Sequence, residues 1–500
     1  MRGTSENPAT VRSKLTTVLG ALVQSLTGGF DTTLGFDGTV SLAHSCLMEN
    51  KTVFPIGSGS ARPFAAIPRA RRLPLLGSIP ALLLQRLAFF ENARAECGDI
   101  FAVDVGVEEL VVVSDPAAAE EILVMRSKSF DKGGTFWDGA RESFGNGLAF
   151  SDGELWRRQR RLMNPQFRKE RIAGFHSTIT KTVEQHLVEL ERQCAGGVAV
   201  DISRWTATLL QSLTVRLLLG TALPLATSTR LPPAIGVLAD KVITGIVTRK
   251  LPAWVPVPGA SRVAEARKTI DELILAIIRE RRAASEPGED LLGMLLAATD
   301  EDGSMSDQQL RDEMVILYIA AVETTAWTLA WGLYCLAEQP TLVGKLQAEL
   351  STHHDLALAP LLDATVREVM RLYPSIPFFP RRAVVDEELL GYQILAGTTV
   401  VVMPWLIHRN PKFWPDPTRF DPHRHLVPSD RPKLAWMPFA AGQRSCIGQG
   451  LAIMEVVVTL GQILRRYTPR PAANHKRSEP RLSSTLAARD GVWIRLQQNT

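Results

Sequence analysis

Phe439-Ala-Ala-Gly-Gln-Arg-Ser-Cys446-Ile-Gly-Gln-Gly-Leu-Ala452 is the stretch on which the reading of this chain turns. A single cysteine, Cys446, sits among Gly442, Gly448 and Gly450, with Arg444 two residues before it. The residues that follow, LAIMEVVVTLGQILRRY, are apolar at helical spacing, which predicts a helix starting just after the cysteine. Unpaired amides at a helix start favour a nearby anion, so a thiolate here is expected to have a lowered pKa and to suit a metal ion. Gly442 and Gly448 permit tight turns and let a flat group approach the backbone. Arg444 is placed to reach a carboxylate at the edge of such a group.

The chain around this loop has ordinary globular composition. Its 500 residues are 45% hydrophobic and 22% charged. Length alone favours two or three domains. The net charge of +4 is spread without blocks of Lys and Arg, which argues against a nucleic-acid partner. The five cysteines are scattered, odd in number and lack a C-x-x-C pair. That excludes a disulfide framework or zinc site as the organising feature and fits a reducing, cytoplasmic compartment. No run approaches the ~20 apolar residues that span a bilayer, so no transmembrane span is expected. Residues 1–60 read as an N-terminal extension. They either lack fixed structure or hold one short amphipathic helix over Leu15–Leu26, behind Arg12 and Lys14.

Upstream of the cysteine loop, Glu368-Val-Met-Arg371 lies on a helix that Pro374 ends, with the two charges on one face. Asp416-Pro-Thr-Arg-Phe-Asp-Pro-His-Arg424 follows later. Between them lie Ser375-Ile-Pro-Phe-Phe-Pro380 and the pair Arg381-Arg382. Leu390–Leu395 and Thr398–Met403, separated at Gly397, read as a hairpin. His408 and the His353-His354 pair read as ordinary polar residues, and no set of histidines has metal-site spacing.

Further out, Ser306–Glu338 has helical periodicity, with a capping pair at Ser306 and Gln309 and Pro340 beyond the end. Its middle reads Ala320-Ala-Val-Glu323-Thr324-Thr325. An acid and two alcohols inside an apolar helix are costly unless used or satisfied. A threonine there can bond the carbonyl one turn back and loosen the helix. Trp156 and Arg160 share a helix face at i and i+4, while Arg157, Arg158 and Arg161 are expected to face solvent. Ser129–Gly153, rich in Gly and aromatics, reads as a long loop that serves as a lid or binding wall. Before it, a helix over Ala81–Glu96, strands over Ile100–Val105 and Leu110–Ser114, and a helix over Pro116–Met125 are expected. Residues 170–295 read as mostly helical, with a Pro-rich break at Leu251–Gly259.

The order Phe-x-x-Gly-x-Arg-x-Cys-x-Gly resembles the haem loop of the cytochrome P450 family, whose cysteine thiolate is a haem ligand. W-x-x-x-R, the acid–alcohol helix, E-x-x-R and a proline-rich entry at Pro63–Pro80 stand in the family's order, so the resemblance covers about residue 63 to the C-terminus. Three departures stand out: Ala321 where glycine is more common, and His423 and His425 where Glu and Phe are usual. The resemblance implies a mainly α (α+β) P450 fold, a helical bundle around haem with a small β-sheet region, forming one domain over residues 61–500.

It also implies site residues. Cys446 is the iron ligand, and Phe439, Gly448, Trp156, Arg160, Arg381 and Arg444 surround haem b. Glu323 and Thr324 organise water and protons for dioxygen. Glu368, Arg371 and Arg424 form a structural triad, and Ala320, Phe378 and Phe379 border the substrate. The implied reaction is hydroxylation or epoxidation of an apolar small molecule of secondary metabolism: a terpenoid or steroid, a fatty acid or a polyketide. Electrons would come from NAD(P)H through a separate ferredoxin or flavodoxin with its reductase, since the chain ends about 50 residues after Cys446. Arg157, Arg158, Arg161, Arg431 and Lys433 are candidates for meeting that partner. A monomer is expected. A peroxide-using or rearranging enzyme of the same fold, and a non-catalytic haem-thiolate sensor, stay open as alternatives.

Overall fold

The computed structural model describes residues 61–73, 77–106, 108–220, 225–248, 259–284, 288–353, 355–482 and 485–499. The N-terminal extension, where an amphipathic helix is one of two expectations, and most of the Pro-rich break at 251–259 lie outside these residues.

The described chain is a helical body with a small sheet set against it. Strands β1 (Ile100–Asp104) and β2 (Glu109–Val113) form an antiparallel pair. β3 (Phe130–Asp131) and β4 (Phe379–Ala383) pair antiparallel, and β5 (Thr399–Val402) joins β4 to β2 in the order β1-β2-β5-β4-β3. β5 runs parallel to β2 and is buried along its length, as its unbroken apolar run requires.

Eight helices carry the argument: α1 (Thr135–Phe144), α2 (Gly153–Met163), α3 (Ile202–Leu219), α4 (Leu225–Thr248), α5 (Ala260–Ala283), α6 (Asp307–Ala337), α7 (Pro360–Leu372) and α8 (Gln449–Arg466). α6 is the axis. α3, α5, α7 and α8 all pack on it, and its residues join theirs in the largest hydrophobic core. Ser306 caps it by accepting the Gln309 amide at 3.2 Å, as its sequence predicts.

Four expectations are corrected. The Ala81–Glu96 helix is two, Ile79–Gln85 and Leu87–Cys97, broken at Arg86, whose φ is 54°. The Ser129–Gly153 stretch contains α1. Gly134 and Gly145 flank the helix, both with positive φ, and Gly139 lies within it, so the glycines punctuate the helix rather than dissolve it. The predicted hairpin has other partners. Tyr392–Ile394 turns back on Glu387–Leu389 through Leu390-Gly391, both at positive φ, and β5 enters the five-stranded sheet instead. Finally, α6 is long and apolar enough to cross a membrane by composition, with a mean hydropathy of 1.4 over 18 residues. Of that window 61% is buried inside the protein, so its apolarity is that of a core helix.

Candidate active site

The cysteine loop is held by its own backbone and by a close neighbour. The Cys446 amide donates to the Phe439 carbonyl at 3.0 Å, and the Ser445 amide donates to Gly442 at 3.1 Å. Ala440 and Gly442 turn the chain at φ 57° and 71°. A Cβ on Gly442 would lie 2.1 Å from the Leu123 carbonyl oxygen, so only glycine fits. α8 begins three residues after Cys446, behind Gly448. A Cβ on Gly448 would meet nothing within 4 Å, so open space lies beside it.

Cys446 is exposed, yet burial is the main influence on its thiol and pushes its pKa up. The residue is thus accessible at its surface while neighbouring protein crowds its thiol. The Gly448 amide and the Arg160 charge act in the opposite direction, but they do not outweigh desolvation. The expected lowering of this pKa is corrected on that ground.

A group of cations lies nearby. α2 sets Trp156 and Arg160 one turn apart, and Arg160 donates to the Ser445 carbonyl at 3.1 Å. The Arg444 guanidinium lies 4.2 Å from the centre of the Trp156 ring and pairs with Asp152, the residue that caps α2. Arg381 is 5% exposed, and its guanidinium donates to the Pro380 carbonyl at 2.8 Å. Burial, then Arg444, lowers its pKa to about 10. Its neighbour Arg382 points the other way along β4 and pairs with Asp131 at 2.7 Å.

Lys132 is buried beside Arg381 and Arg444, over the Trp137 ring at 4.6 Å. Asp152 is thus the carboxylate that Lys132, Arg381 and Arg444 share. The sequence reading missed Lys132 and Asp152. Asp152 carries a signal, an N-cap residue just before the helix; Lys132 carries none.

Arg158 corrects a further expectation. It is half-buried and bound to Asp300 at 3.0 Å, which leaves Arg157 and Arg161 as the exposed arginines of α2.

α7 carries the buried acid. Arg371 meets Glu368 with two hydrogen bonds of 2.8 Å, Arg424 adds one at 3.0 Å, and both members of the Glu368–Arg371 pair are fully buried. Burial alone would raise the Glu368 pKa, but the hydrogen bonds from Arg371 and His425 hold it down to about 2. Two histidines belong to this cluster. His425 bonds Glu368 at 2.9 Å, although its departure from the family pattern suggested no part in the triad. His408, read as ordinary, is fully buried. Its Nδ1 faces the Arg371 carbonyl at 3.1 Å, and its Nε2 accepts the Met437 amide at 2.9 Å.

The middle of α6 is different from its ends. From Leu310 to Ile316 and from Thr328 to Leu333 every residue is buried. Between them Ala320 and Glu323 are exposed, and Leu317, Thr324 and Trp327 partly so, along one helix face. The helix is thus open along one side midway, between two fully packed stretches. Thr324 donates to the Ala320 carbonyl at 2.6 Å, the one-turn-back bond its sequence predicts. Glu323 accepts from Thr485 at 3.3 Å. Phe378 meets Phe136 of α1 edge-on at 6.1 Å, while Phe379 packs against the core beneath the sheet.

The fold is mainly helical, with an accessible cysteine just before one helix and an acid–alcohol stretch open on one face of another. The chain belongs to the cytochrome P450 family, whose pattern matches residues 67–490. It is similar to cyclooctat-9-en-7-ol 5-monooxygenase of Streptomyces melanosporofaciens, with 31% identity over 82% of this chain and 91% of that one. Pentalenene oxygenase of Streptomyces avermitilis is 28% identical over 83% of this chain and 94% of its own. The protein LUTEIN DEFICIENT 5 of Arabidopsis thaliana is 27% identical over 89% and 78%. The chain is a cytochrome P450 monooxygenase, and its family implies haem, dioxygen, an apolar substrate and a source of electrons.

Proposed function

We propose that residues 61–500 form one P450 domain that hydroxylates or epoxidises a terpenoid, with Cys446 as the iron ligand. The observation that carries the reading is the accessible Cys446, held in a glycine-turned loop just before α8. The gathering of cations supports it: haem b brings two carboxylates, and Lys132, Arg381 and Arg444 share Asp152, with Asp131 acting on Arg444 as well. Arg381 and Arg444 would hold the propionates, with Trp156 packed behind Arg444. Arg160, tied to Ser445, would place a positive charge beside the thiolate. Phe439 and Gly448 would border the ring. Haem iron supplies the redox chemistry that activates dioxygen.

The protein's own part is to bind, orient and move protons. Glu323 and Thr324, at the window of α6, would hold water and pass protons inward. Ala320 and Phe378 would wall the substrate space, with Phe379 behind. The terpenoid assignment is supported by relatives named for cyclooctat-9-en-7-ol and pentalenene and by the apolar lining that Ala320 and Phe378 provide. NAD(P)H would feed electrons through a separate ferredoxin or flavodoxin and its reductase to a monomeric, cytoplasmic enzyme.

Two measurements test this. A panel of terpenoids, steroids, fatty acids and polyketides is titrated while the haem spin state is followed, and terpenoids are expected to give the largest shift. Cys446→Ser is expected to abolish the red-shifted ferrous-CO band. Retention of that band by the variant would refute the ligand assignment.

A further inference from the structure

Three hydroxyls from outside the acid–alcohol pair converge on it. The Ser375 hydroxyl donates to the Thr324 carbonyl at 2.7 Å. The Thr328 hydroxyl lies 2.9 Å from that same carbonyl and 2.9 Å from the Ser375 oxygen. Thr328 is 4% exposed, so the triangle is largely shielded from water. The Thr485 hydroxyl donates to Glu323 at 3.3 Å.

The segments that supply these groups are tied together. The Leu486 amide donates to the Ser375 carbonyl at 2.9 Å, and the Leu486 carbonyl accepts from the Trp331 indole of α6 at 3.0 Å. Trp331 in turn stacks on Tyr373 at 4.2 Å, two residues before Ser375. The loop after α7 and the 485–486 segment are therefore locked to each other and to α6.

A helix carbonyl with two side-chain hydroxyls upon it is drawn away from the helix axis, and the backbone bond it accepts weakens. That fixes the plane of the peptide after Thr324. It also fixes the direction of the Thr324 hydroxyl, whose own proton is engaged by Ala320. The same loop reaches Phe378 three residues later, against Phe136.

Resting on the proton-delivery reading of Thr324 given above, we propose that Ser375 and Thr328 are positioning residues for that threonine. Thr485 does the same for Glu323. The loop that walls the substrate space thereby sets the geometry of proton delivery. Ser375 acts through the Thr324 carbonyl, to which it donates.

The test uses the full haem-loaded protein, freed of excess reductant after reduction, with dioxygen as the only reactant then added. Dithionite-reduced protein is mixed with O2, and the rate of reoxidation is followed in H2O and in D2O. Thr324→Ala is expected to change the rate several-fold and to bring the solvent isotope ratio toward one. Ser375→Ala is expected to move both quantities in the same direction, and Ser375→Thr to restore them. The effects of Thr324→Ala and Ser375→Ala are expected to be non-additive, because they act through one peptide. The ferrous-CO band should be unchanged throughout.

If Thr324→Ala changes both quantities while Ser375→Ala leaves both unchanged, the positioning role is overturned. If Thr324→Ala itself changes neither, the proton-delivery reading fails instead. Should Ser375→Ala lose its ferrous-CO band, the near-isosteric Thr328→Val decides by the same criteria: a shift in both quantities supports the role and no shift overturns it.

Discussion

At the scale of single residues, His408 and His425 show what motif matching leaves out. A histidine ring fully buried between one acceptor and one donor must be neutral, with its proton on Nδ1 facing Arg371 and its lone pair on Nε2 facing Met437. Burial, then the Arg371 charge, presses its pKa down to about 3. His408 thus bolts the Glu368–Arg371 pair to the segment that enters the cysteine loop. His408→Ala would leave two buried backbone groups unpaired, at about 1–3 kcal/mol each. The expected result is a loss of roughly 2–5 kcal/mol in denaturant unfolding and poorer haem retention.

The sign of its pH dependence follows from the depressed pKa. Below the ordinary value near 6.5 the unfolded chain takes up a proton that the folded one refuses. Stability is therefore lost as pH falls from about 6.5 toward 3, by up to ~1.4 kcal/mol per pH unit, and the variant should lack that slope. Cys446, Arg444 and Glu368 were legible because their spacing is local. His408 was not, because its partners lie 37 and 29 residues away and no short motif links them.

At the scale of elements, the helices carry acids that their periodicity does not explain. Glu455 on α8 is 2% exposed, and burial pushes its pKa up to about 8. The Thr325 hydroxyl of α6 lies near enough to oppose that rise without closing a hydrogen bond. Glu313, on the first half of α6, is fully buried and also raised to about 8, chiefly by burial. It accepts the Leu148 amide at 2.9 Å, and its neighbour Asp312 accepts the Asn146 amide at 2.8 Å. The chain between α1 and α2 is thereby pinned to α6.

Both carboxyls hold their protons when folded and release them near pH 4.5 when unfolded. Stability is therefore lost as pH rises from about 4.5 to 8, at up to ~1.4 kcal/mol per pH unit for each group. Glu455→Gln and Glu313→Gln are expected to melt above the parent at pH 8 and to converge with it near pH 5. A constant offset at both values would refute the protonated state. Element types were mostly legible, since α2, α6, α7 and α8 have strong apolar periods. α1 was missed because five glycines in and around it outweighed a weak pattern, and the Leu390-Gly391 turn because a leucine gives no signal of the positive φ that Leu390 adopts.

At the scale of the whole molecule, charge is unevenly spread around the cysteine loop. A cleft of about 600 Å³ next to that loop is lined by Arg157, Arg160, Arg161 and Arg168 together with Ser445, and no carboxylate is among its lining residues. Arg157 is partly neutralised by Glu154 and Arg161 by Asp300, whereas Arg168 is exposed and has no ion pair among the described residues. Arg168 is therefore the best single probe of whether this face draws an acidic electron donor. Screening lengths shrink from about 30 Å at 0.01 M salt to about 3 Å at 1 M, so attraction by exposed arginines must fade over that range. Reduction by an acidic ferredoxin is expected to slow by about tenfold between these limits. Arg168→Glu should lower the rate several-fold at low salt and flatten the salt dependence, with the ferrous-CO band intact. A rate indifferent both to salt and to Arg168→Glu would mean that the donor docks elsewhere, and the arginines of α2 would then be a solvated face held by Asp300 and Glu154.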